Sequence, residues 1–278
     1  DNGYTAGTFR STNSRAYGAN NNVIYEFNDE GTQRQTITLA STIDIQGMTF
    51  VGANLFFVDD TNNTVYMGGI PHGVTVTQDP LALATNGTST LYVLTEGTPY
   101  DKIVVMDLGT SATTTEFNAP DDSGQGLTYL DGYLYYASNE NEKKIYKLDP
   151  TTGAQEDSFR PKNNGGWEIG ENLLGLGNDG SDLILSYADG WNPCLYKINE
   201  GNGDNNGQIC ENNDWDNALK QAKAVTVDPS GNIVVAKGDK IDKRDSEGDS
   251  TESWSGLDAS DIQGMAFAGT VLYVADAG

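Results

Sequence analysis

The sequence predicts an all-β fold, a six-bladed β-propeller of four-stranded antiparallel blades, on three observations. An apolar strand, a turn with Gly and a second apolar strand recur six times along the 278 residues. The turn glycines Gly52, Gly87, Gly132, Gly180, Gly231 and Gly269 are spaced about 43 residues apart on average, the length of a propeller blade. The last copy lacks a third and fourth strand, and a strand pair without first and second strands of its own stands near the other end of the chain.

Taken in order, the elements begin with Val23-Ile24-Tyr25-Glu26-Phe27, a turn at Asn28-Asp29-Glu30-Gly31, and Thr36-Ile37-Thr38-Leu39, which read as those orphan third and fourth strands. First and second strands then follow in pairs: Gly47–Gly52 with Leu55–Val58, Leu81–Ala84 with Leu91–Leu94, and Gly126–Gly132 with Leu134–Ala137. The later pairs are Leu173–Leu176 with Leu183–Ser186, Ala224–Val227 with Ile233–Ala236, and Gly264–Phe267 with Leu272–Ala275. Third strands lie at Val65–Met67, Ile103–Met106, Ile145–Leu148, Leu195–Ile198 and Ile241–Lys243. Short period-2 runs joined by Gly, Asn and Asp turns have no helical reading. The expected organisation is a single domain, 1–278, with blades at about 43–80, 81–120, 121–165, 166–215 and 216–258, and a last blade at 259–278 completed by 20–42. Pairing N-terminal strands with C-terminal ones closes the ring and removes the edges that an open array exposes. Tyr4 to Tyr17 is too short and too polar for a further blade.

The chain carries 40 Asp and Glu against 16 Lys and Arg, a net charge of −24, with 37% hydrophobic residues. An acidic skin without a basic cluster argues against nucleic acid, whose phosphates need clustered Lys and Arg, and against an anionic membrane surface. No apolar run reaches the roughly 20 residues that span a bilayer, so no membrane insertion is expected. Asp1 in place of Met, with no signal peptide, is the start expected of a mature, processed chain or of a fragment.

The segment Ala224-Val225-Thr226-Val227-Asp228-Pro229-Ser230-Gly231-Asn232-Ile233-Val234-Val235-Ala236, continued by Lys240-Ile241-Asp242-Lys243-Arg244-Asp245, resembles the NHL repeat. The other blades resemble it more loosely, and over nearly its whole length the chain is similar to six-bladed propellers of the NHL, TolB-like and gluconolactonase-like group. The resemblance implies a propeller and no particular reaction, because that group runs from binding modules to metal-dependent lactonases and calcium-dependent phytases.

The single histidine, His72, argues against a His-rich metal site and a His-based triad; between Pro71 and Gly73 it reads as a surface residue of a loop. Cys194 and Cys210 fall on the expected third and fourth strands of the fourth blade, where a cross-strand disulfide in an oxidising compartment competes with two buried thiols. The sequons Asn62-Asn63-Thr64 and Asn86-Gly87-Thr88 are candidate glycosylation sites of a secreted chain, at Asn62 and Asn86. Between the cysteines, Asn202 to Ile209 follows part of an EF-hand calcium loop. It has Asn for Asp at the first position and Asn213 for the bidentate Glu at the twelfth, so a polar hairpin turn is the competing reading.

The turns after the second strands hold Asp59 and Asp60, Glu96, Asn139 and Glu140, Asp189, Asp239 and Asp276. The lead-ins to the first strands hold Asp44 and Gln46, Asp121, Asp122 and Gln125, Glu168, and Asp261 and Gln263, and Asp44-Ile45-Gln46-Gly47-Met48 recurs as Asp261-Ile262-Gln263-Gly264-Met265. In similar propellers these turns gather on one face around the axis. There Asp59, Asp60, Glu96, Asn139, Glu140, Asp189 and Asp276 offer the hard oxygens a structural Ca²⁺ takes, whereas Asp-rich turns on so acidic a chain give the same residues no ligand at all. Trp167, Trp191, Trp215 and Trp254 are placed in connections between strands, either as contacts to protein or carbohydrate or as seals between blades. Trp167 and Trp191 join Asp44, Gln46, Gln125, Asp261 and Gln263 as candidate binding residues.

The expectation is a secreted or cell-surface propeller that binds protein or glycan, in adhesion or in assembly with its own copies, without catalysis. The rival is a calcium-dependent hydrolase, lactonase-like rather than phytase-like. A phosphate substrate needs Lys and Arg beside the metal, and the second-strand ends offer mainly Lys237.

Overall fold

The computed structural model describes every residue except 1–5, 11–14, 21–22, 29–32, 39–44, 52–53, 60, 68–69, 141, 164, 171, 179, 188–193, 211–223, 228–232, 238–239, 245–249, 256–261, 265–273 and 277–278. Among the described residues every regular element is a strand, and no helix is long and apolar enough to cross a membrane. The chain opens with β1 (Ala6–Arg10), β2 (Arg15–Asn20), β3 (Val23–Asn28) and β4 (Gln33–Thr38). Four-stranded antiparallel sheets follow, each laid down in sequence order. They are β5 (Ile45–Val51), β6 (Asn54–Asp59), β7 (Thr64–Met67) and β8 (Ile70–Thr75), then β9 (Pro80–Thr85), β10 (Thr90–Thr95), β11 (Lys102–Asp107) and β12 (Ala112–Asn118). Next come β13 (Gly124–Leu130), β14 (Tyr133–Ser138), β15 (Lys144–Leu148) and β16 (Gln155–Phe159), then β17 (Leu173–Asn178), β18 (Leu183–Tyr187), β19 (Cys194–Ile198) and β20 (Asn205–Cys210). The sheet of β21 (Ala224–Val227), β22 (Ile233–Lys237), β23 (Lys240–Arg244) and β24 (Ser250–Ser255) precedes β25 (Ile262–Gly264) and β26 (Val274–Asp276).

The last two strands join the first ones in the order β25-β26-β2-β3-β4, with β1 paired to β2. β2 therefore stands between β26 and β3, parallel to β26 through Gly18 opposite Val274 and Ala19 opposite Ala275. The segment read as too short and too polar for a further blade forms the hairpin β1–β2, with Thr8 opposite Tyr17 and Phe9 opposite Ala16. Thr, Phe and Tyr favour extended backbone, and ladder bonds are made by the main chain whatever the side chains' polarity.

Turn chemistry explains why the first two strands of a sheet fold as hairpins. Between β13 and β14, Asp131 (φ 48°) and Gly132 (φ 88°) both take left-handed backbone, the Asp-Gly signature of a two-residue turn whose twist matches its strands. The sheets are joined by apolar layers. One combines Phe56, Val58 and Val65 with Leu91, Val93 and Met106; the next combines Leu94 and Ile103 with Leu134 and Tyr136; a third combines Tyr135 and Ile145 with Leu183, Leu185 and Ile198. Each such side chain contributes about 1.5–3 kcal/mol by leaving water. The first strands of successive sheets adjoin, β5 with β9, β9 with β13, and β13 with β17.

Three placements differ from expectation. His72 is not a loop residue: it lies in β8, is buried, and meets Phe56 edge to face at 5.2 Å between ring centroids. Pro71 and Gly73 imitate a loop, but β8 is the outermost strand of its sheet, where Pro is tolerated. Trp254 falls within β24, opposite Ile241, and not in a connection. Asn205 to Cys210 form β20, which leaves only residues 199–204 as the turn; a twelve-residue calcium loop has no room there.

Candidate functional site

Where β13 begins, the chain brings together groups from two sheets. Asp101 leads into β11 and Asp121 leads into β13, while Tyr136 stands in the middle of β14. The main chain ties the first two together, with Asp101 N–H donating to the Asp121 carbonyl at 2.8 Å. The Tyr136 hydroxyl lies 2.9 Å from Asp101 Oδ2 and 2.8 Å from Asp121 Oδ1. Gly97 N–H (3.1 Å) and Gly124 N–H (2.8 Å) donate to the Asp101 carboxyl, and Ser138 Oγ (2.7 Å) and Ser123 N–H (3.2 Å) donate to Asp121 Oδ1. Gly124 is required for this approach: a Cβ there would stand 2.6 Å from Asp101 Oδ2 and 2.8 Å from Tyr136 Cε2.

One hydroxyl carries one proton and cannot donate fully to two carboxylates. The cluster is therefore complete when one carboxyl keeps a proton and donates it to Tyr136, which donates onward to the other. Burial pushes the Asp101 carboxyl up against the pull of the Gly124, Tyr136 and Gly97 donors, with the Asp121 charge adding to the rise. Burial, then the Asp101 charge, likewise raises Tyr136. Asp101 is fully buried and Asp121 8% exposed, so the cluster is closed to a substrate and acts as a rivet between sheets. Asp121 Oδ2 is buried without a hydrogen bond.

The residues expected to hold a metal are placed as follows. Asp59 ends β6 fully buried, where its Oδ1 accepts from Thr61 N–H at 3.1 Å and its Oδ2 from Asn62 Nδ2 at 2.7 Å. Asn139 clamps the next sheet: its Nδ2 donates to the Leu173 carbonyl at 2.8 Å and its Oδ1 accepts the Leu173 N–H at 2.7 Å. That commits both ends of the amide to β17. Glu96 is exposed after β10. Glu140 lines a cavity of about 350 Å³ with Ser138, Glu142, Lys143, Lys144 and Tyr146. Its two lysines are engaged, Lys144 with Glu142 and Lys143 Nζ with the Asn139 carbonyl at 2.6 Å. Burial and the Asp121 charge raise Tyr146 on the cavity wall to about 12. Asp276 ends β26. Asp44, Asp60, Asp189, Asp239, Asp261, Trp191 and Trp215 lie outside the described residues. Among the described residues no three of His, Cys, Asp and Glu converge as a metal-holding group.

The Gln-Gly motif marks a β-bulge. The register skips Gln46 between Ile45 opposite Asp59 and Gly47 opposite Val58, and it skips Gln125 and Gln263 in the same way at the starts of β13 and β25. Gln125 is exposed and its Nε2 donates to the carbonyls of Ser123 and Gly124. Glycine follows because the neighbouring first strand is close: a Cβ on Gly126 would lie 3.0 Å from the Leu176 nitrogen.

Of the sequons, Asn62 turns its amide onto Asp59, whereas Asn86 Oδ1 accepts from Thr88 N–H, Thr88 Oγ1, Ser89 N–H and Thr90 N–H in the turn after β9. The β19–β20 register sets Cys194 directly opposite Cys210.

Trp167 stands apart from all of these. Between β16 and β17 the chain makes a finger in which Lys162 bridges Glu168, Ile169 N–H donates to the Pro161 carbonyl and Asn163 N–H donates to the Trp167 carbonyl. The Asn163 Oδ1 closes the tip by accepting from Gly165 N–H (2.9 Å) and Trp167 N–H (3.1 Å). The finger leaves the Trp167 side chain 75% exposed. It is seated on the β19–β20 turn, where the Gly203 carbonyl accepts from Lys162 N–H and Lys162 Nζ meets Asp204 at 2.6 Å.

Sequence reasoning missed Asp101 and Tyr136. The available signal was a hydroxyl-bearing Tyr136 on an apolar strand where the first sheet has Phe57, since a buried phenol needs a partner. The fold and these sites define a repeat protein built from four-stranded antiparallel sheets. The chain belongs to the family described as a repeat of unknown function (DUF6923), whose model matches residues 13–209. No curated protein matches the sequence.

Proposed function

We propose that the chain is a six-bladed β-propeller, closed by strands from both ends, that works outside the cell as a binding, adhesion or assembly module for protein or glycan, without catalysis. The repeated sheets with apolar layers between them support the propeller, and the sheet that takes β25 and β26 together with β2, β3 and β4 supports the closure. Cys194 opposite Cys210 supports a disulfide and an oxidising compartment, because directly opposed Cβ atoms are about 4.5–5.5 Å apart, near the span of that bond.

The observation that carries the binding reading is Trp167: a large aromatic held outward by a hydrogen-bonded finger, while Asp59, Asp101, Asp121 and Asn139 bond inside the fold. The test is to present the immobilised full chain with defined extracellular matrix proteins and glycans. Retention of at least one of them is expected, and retention of none contradicts the reading. Turnover of a lactone or phosphoester that disappears in Asp59→Asn would establish the calcium-hydrolase reading instead. Removing residues 1–40 tests the closure, since the exposed sheet edge should cause aggregation, and a monomer with unchanged melting would contradict it.

A further inference from the structure

We propose that Trp167 and Asn163 form a subsite for a neutral pyranose: the outer face of the indole stacks on the apolar C–H face of the sugar, and Asn163 Nδ2 donates to one of its hydroxyls. The proposal rests on the binding reading above and names the ligand class. Its basis is the tip of the finger. A Cβ on Gly165 would lie 2.8 Å from Trp167 Cδ1 and 3.4 Å from Asn163 Oδ1, so indole and amide rest side by side against this glycine. The Gly165 backbone stands beside the Cδ1 and Nε1 atoms of the ring, and the side chain as a whole is 75% exposed. Asn163 spends its Oδ1 on the turn, and among the described residues its Nδ2 makes no hydrogen bond. A flat ring on a hydrogen-bonded turn, with an amide fixed through its Oδ1 beside it, is pre-organised, so a ligand meets little conformational cost there.

Charge decides the class of ligand. Arg160 pairs with Glu168 at 2.5 Å and with Glu142 at 3.1 Å, and Lys162 pairs with Asp204, so the charges near the indole are neutralised in place. Among the described residues no unpaired cation stands there for an acidic sugar, which the net charge of −24 also repels, and Glu168 is already engaged by Arg160 and offers a basic peptide little. A neutral ring with one apolar face and hydrogen-bonding hydroxyls fits what remains.

The experiment measures binding by the full chain to oligomers of glucose, galactose, mannose and N-acetylglucosamine, with Lys- and Arg-rich peptides alongside. At least one neutral oligosaccharide should bind, with affinity unchanged between about 0.05 and about 0.5 M salt. Trp167→Ala should weaken it at least about tenfold, as loss of a central aromatic anchor does, and Trp167→Phe should restore part. Asn163→Asp keeps the Oδ1 that closes the turn and removes the donor, so it should weaken binding without lowering the melting temperature. Binding that survives Trp167→Ala, or capture of the basic peptides alone with steep salt dependence, overturns the proposal while leaving a binding module. No neutral oligosaccharide bound, with a matrix protein still retained, overturns it in the same way; no partner of any kind overturns both.

Discussion

The junction around Tyr136 and the finger around Trp167 lie on the same sheet and its exit, and they use polar groups in opposite ways. At the junction, Asp101 and Asp121 turn inward onto one phenol, while Gly97 and Gly124 N–H donate to the Asp101 carboxyl and Ser138 Oγ to that of Asp121, so these groups are spent within the fold. At the finger, Asn163 closes the turn with half of its amide and leaves the other half, with the indole, to solvent. The difference teaches that a carboxyl in this acidic chain can serve the scaffold. Asp101 and Asp121 tie two sheets together, whereas the exposed indole stands on a turn outside the core.

The largest expected effect lies in the support beneath the finger. Cys194 stands opposite Cys210 in the β19–β20 hairpin on which the finger sits, so a disulfide there would be worth on the order of 3 kcal/mol in the chain-entropy picture. Mass spectrometry of unreduced protein should show the two cysteines linked, and Cys194→Ser with Cys210→Ser should lower stability by about that amount. Two alkylatable thiols in freshly isolated protein contradict the linkage.

The next effect breaks the junction. Tyr136→Phe removes the hydroxyl that two buried carboxyls share and should cost about 2–3 kcal/mol in denaturant unfolding, the range for buried polar groups left unmatched. A loss below about 0.5 kcal/mol, typical of surface changes, would show that the rivet carries no weight.

A smaller effect is read with pH. Because the folded protein raises Asp101, that group's contribution is full below the usual carboxyl value of about 3.9 and is lost as pH rises through its higher folded value. Asp101→Asn keeps a neutral donor and acceptor in place, so the variant should gain stability relative to the parent as pH rises from about 4 toward neutral. A constant difference across that range would place the proton elsewhere. The smallest effect sharpens the other side of the comparison: Trp167→Ala should change stability by less than about 0.5 kcal/mol, because the indole packs chiefly on its own turn.

Most of the strands were legible because their inner members are apolar throughout. Leu91, Tyr92, Val93, Leu94 and Thr95 of β10 are all buried, and such a run bounded by turn residues has few readings. The outer strands were not legible: β12 reads Ala-Thr-Thr-Thr-Glu-Phe-Asn and is mostly exposed, so burial leaves no period in its sequence. Gly87, Gly132 and Gly180 were recognised as turn residues and do take left-handed backbone. The repeated Gln-Gly was visible as a motif, but its meaning depends on the neighbouring strand's distance, which no single repeat encodes. Asn139 was read as an oxygen ligand because residue type and turn position are compatible with both roles. Only the location of Leu173, thirty-four positions later, shows that the amide substitutes for a strand bond. Trp167 was singled out correctly as a residue of a connection, while the finger that presents it was written in Asn-Asn-Gly-Gly, a composition indistinguishable from any loop.

The separation of scaffold from contact surface is tested most directly by measuring melting temperature and ligand retention on the same preparations of parent, Tyr136→Phe and Trp167→Ala. The account predicts a crossed result: Tyr136→Phe melts lower but, below its transition, retains the ligand as the parent does, whereas Trp167→Ala melts with the parent and retains none. Retention by Trp167→Ala, or its loss in folded Tyr136→Phe, would contradict it.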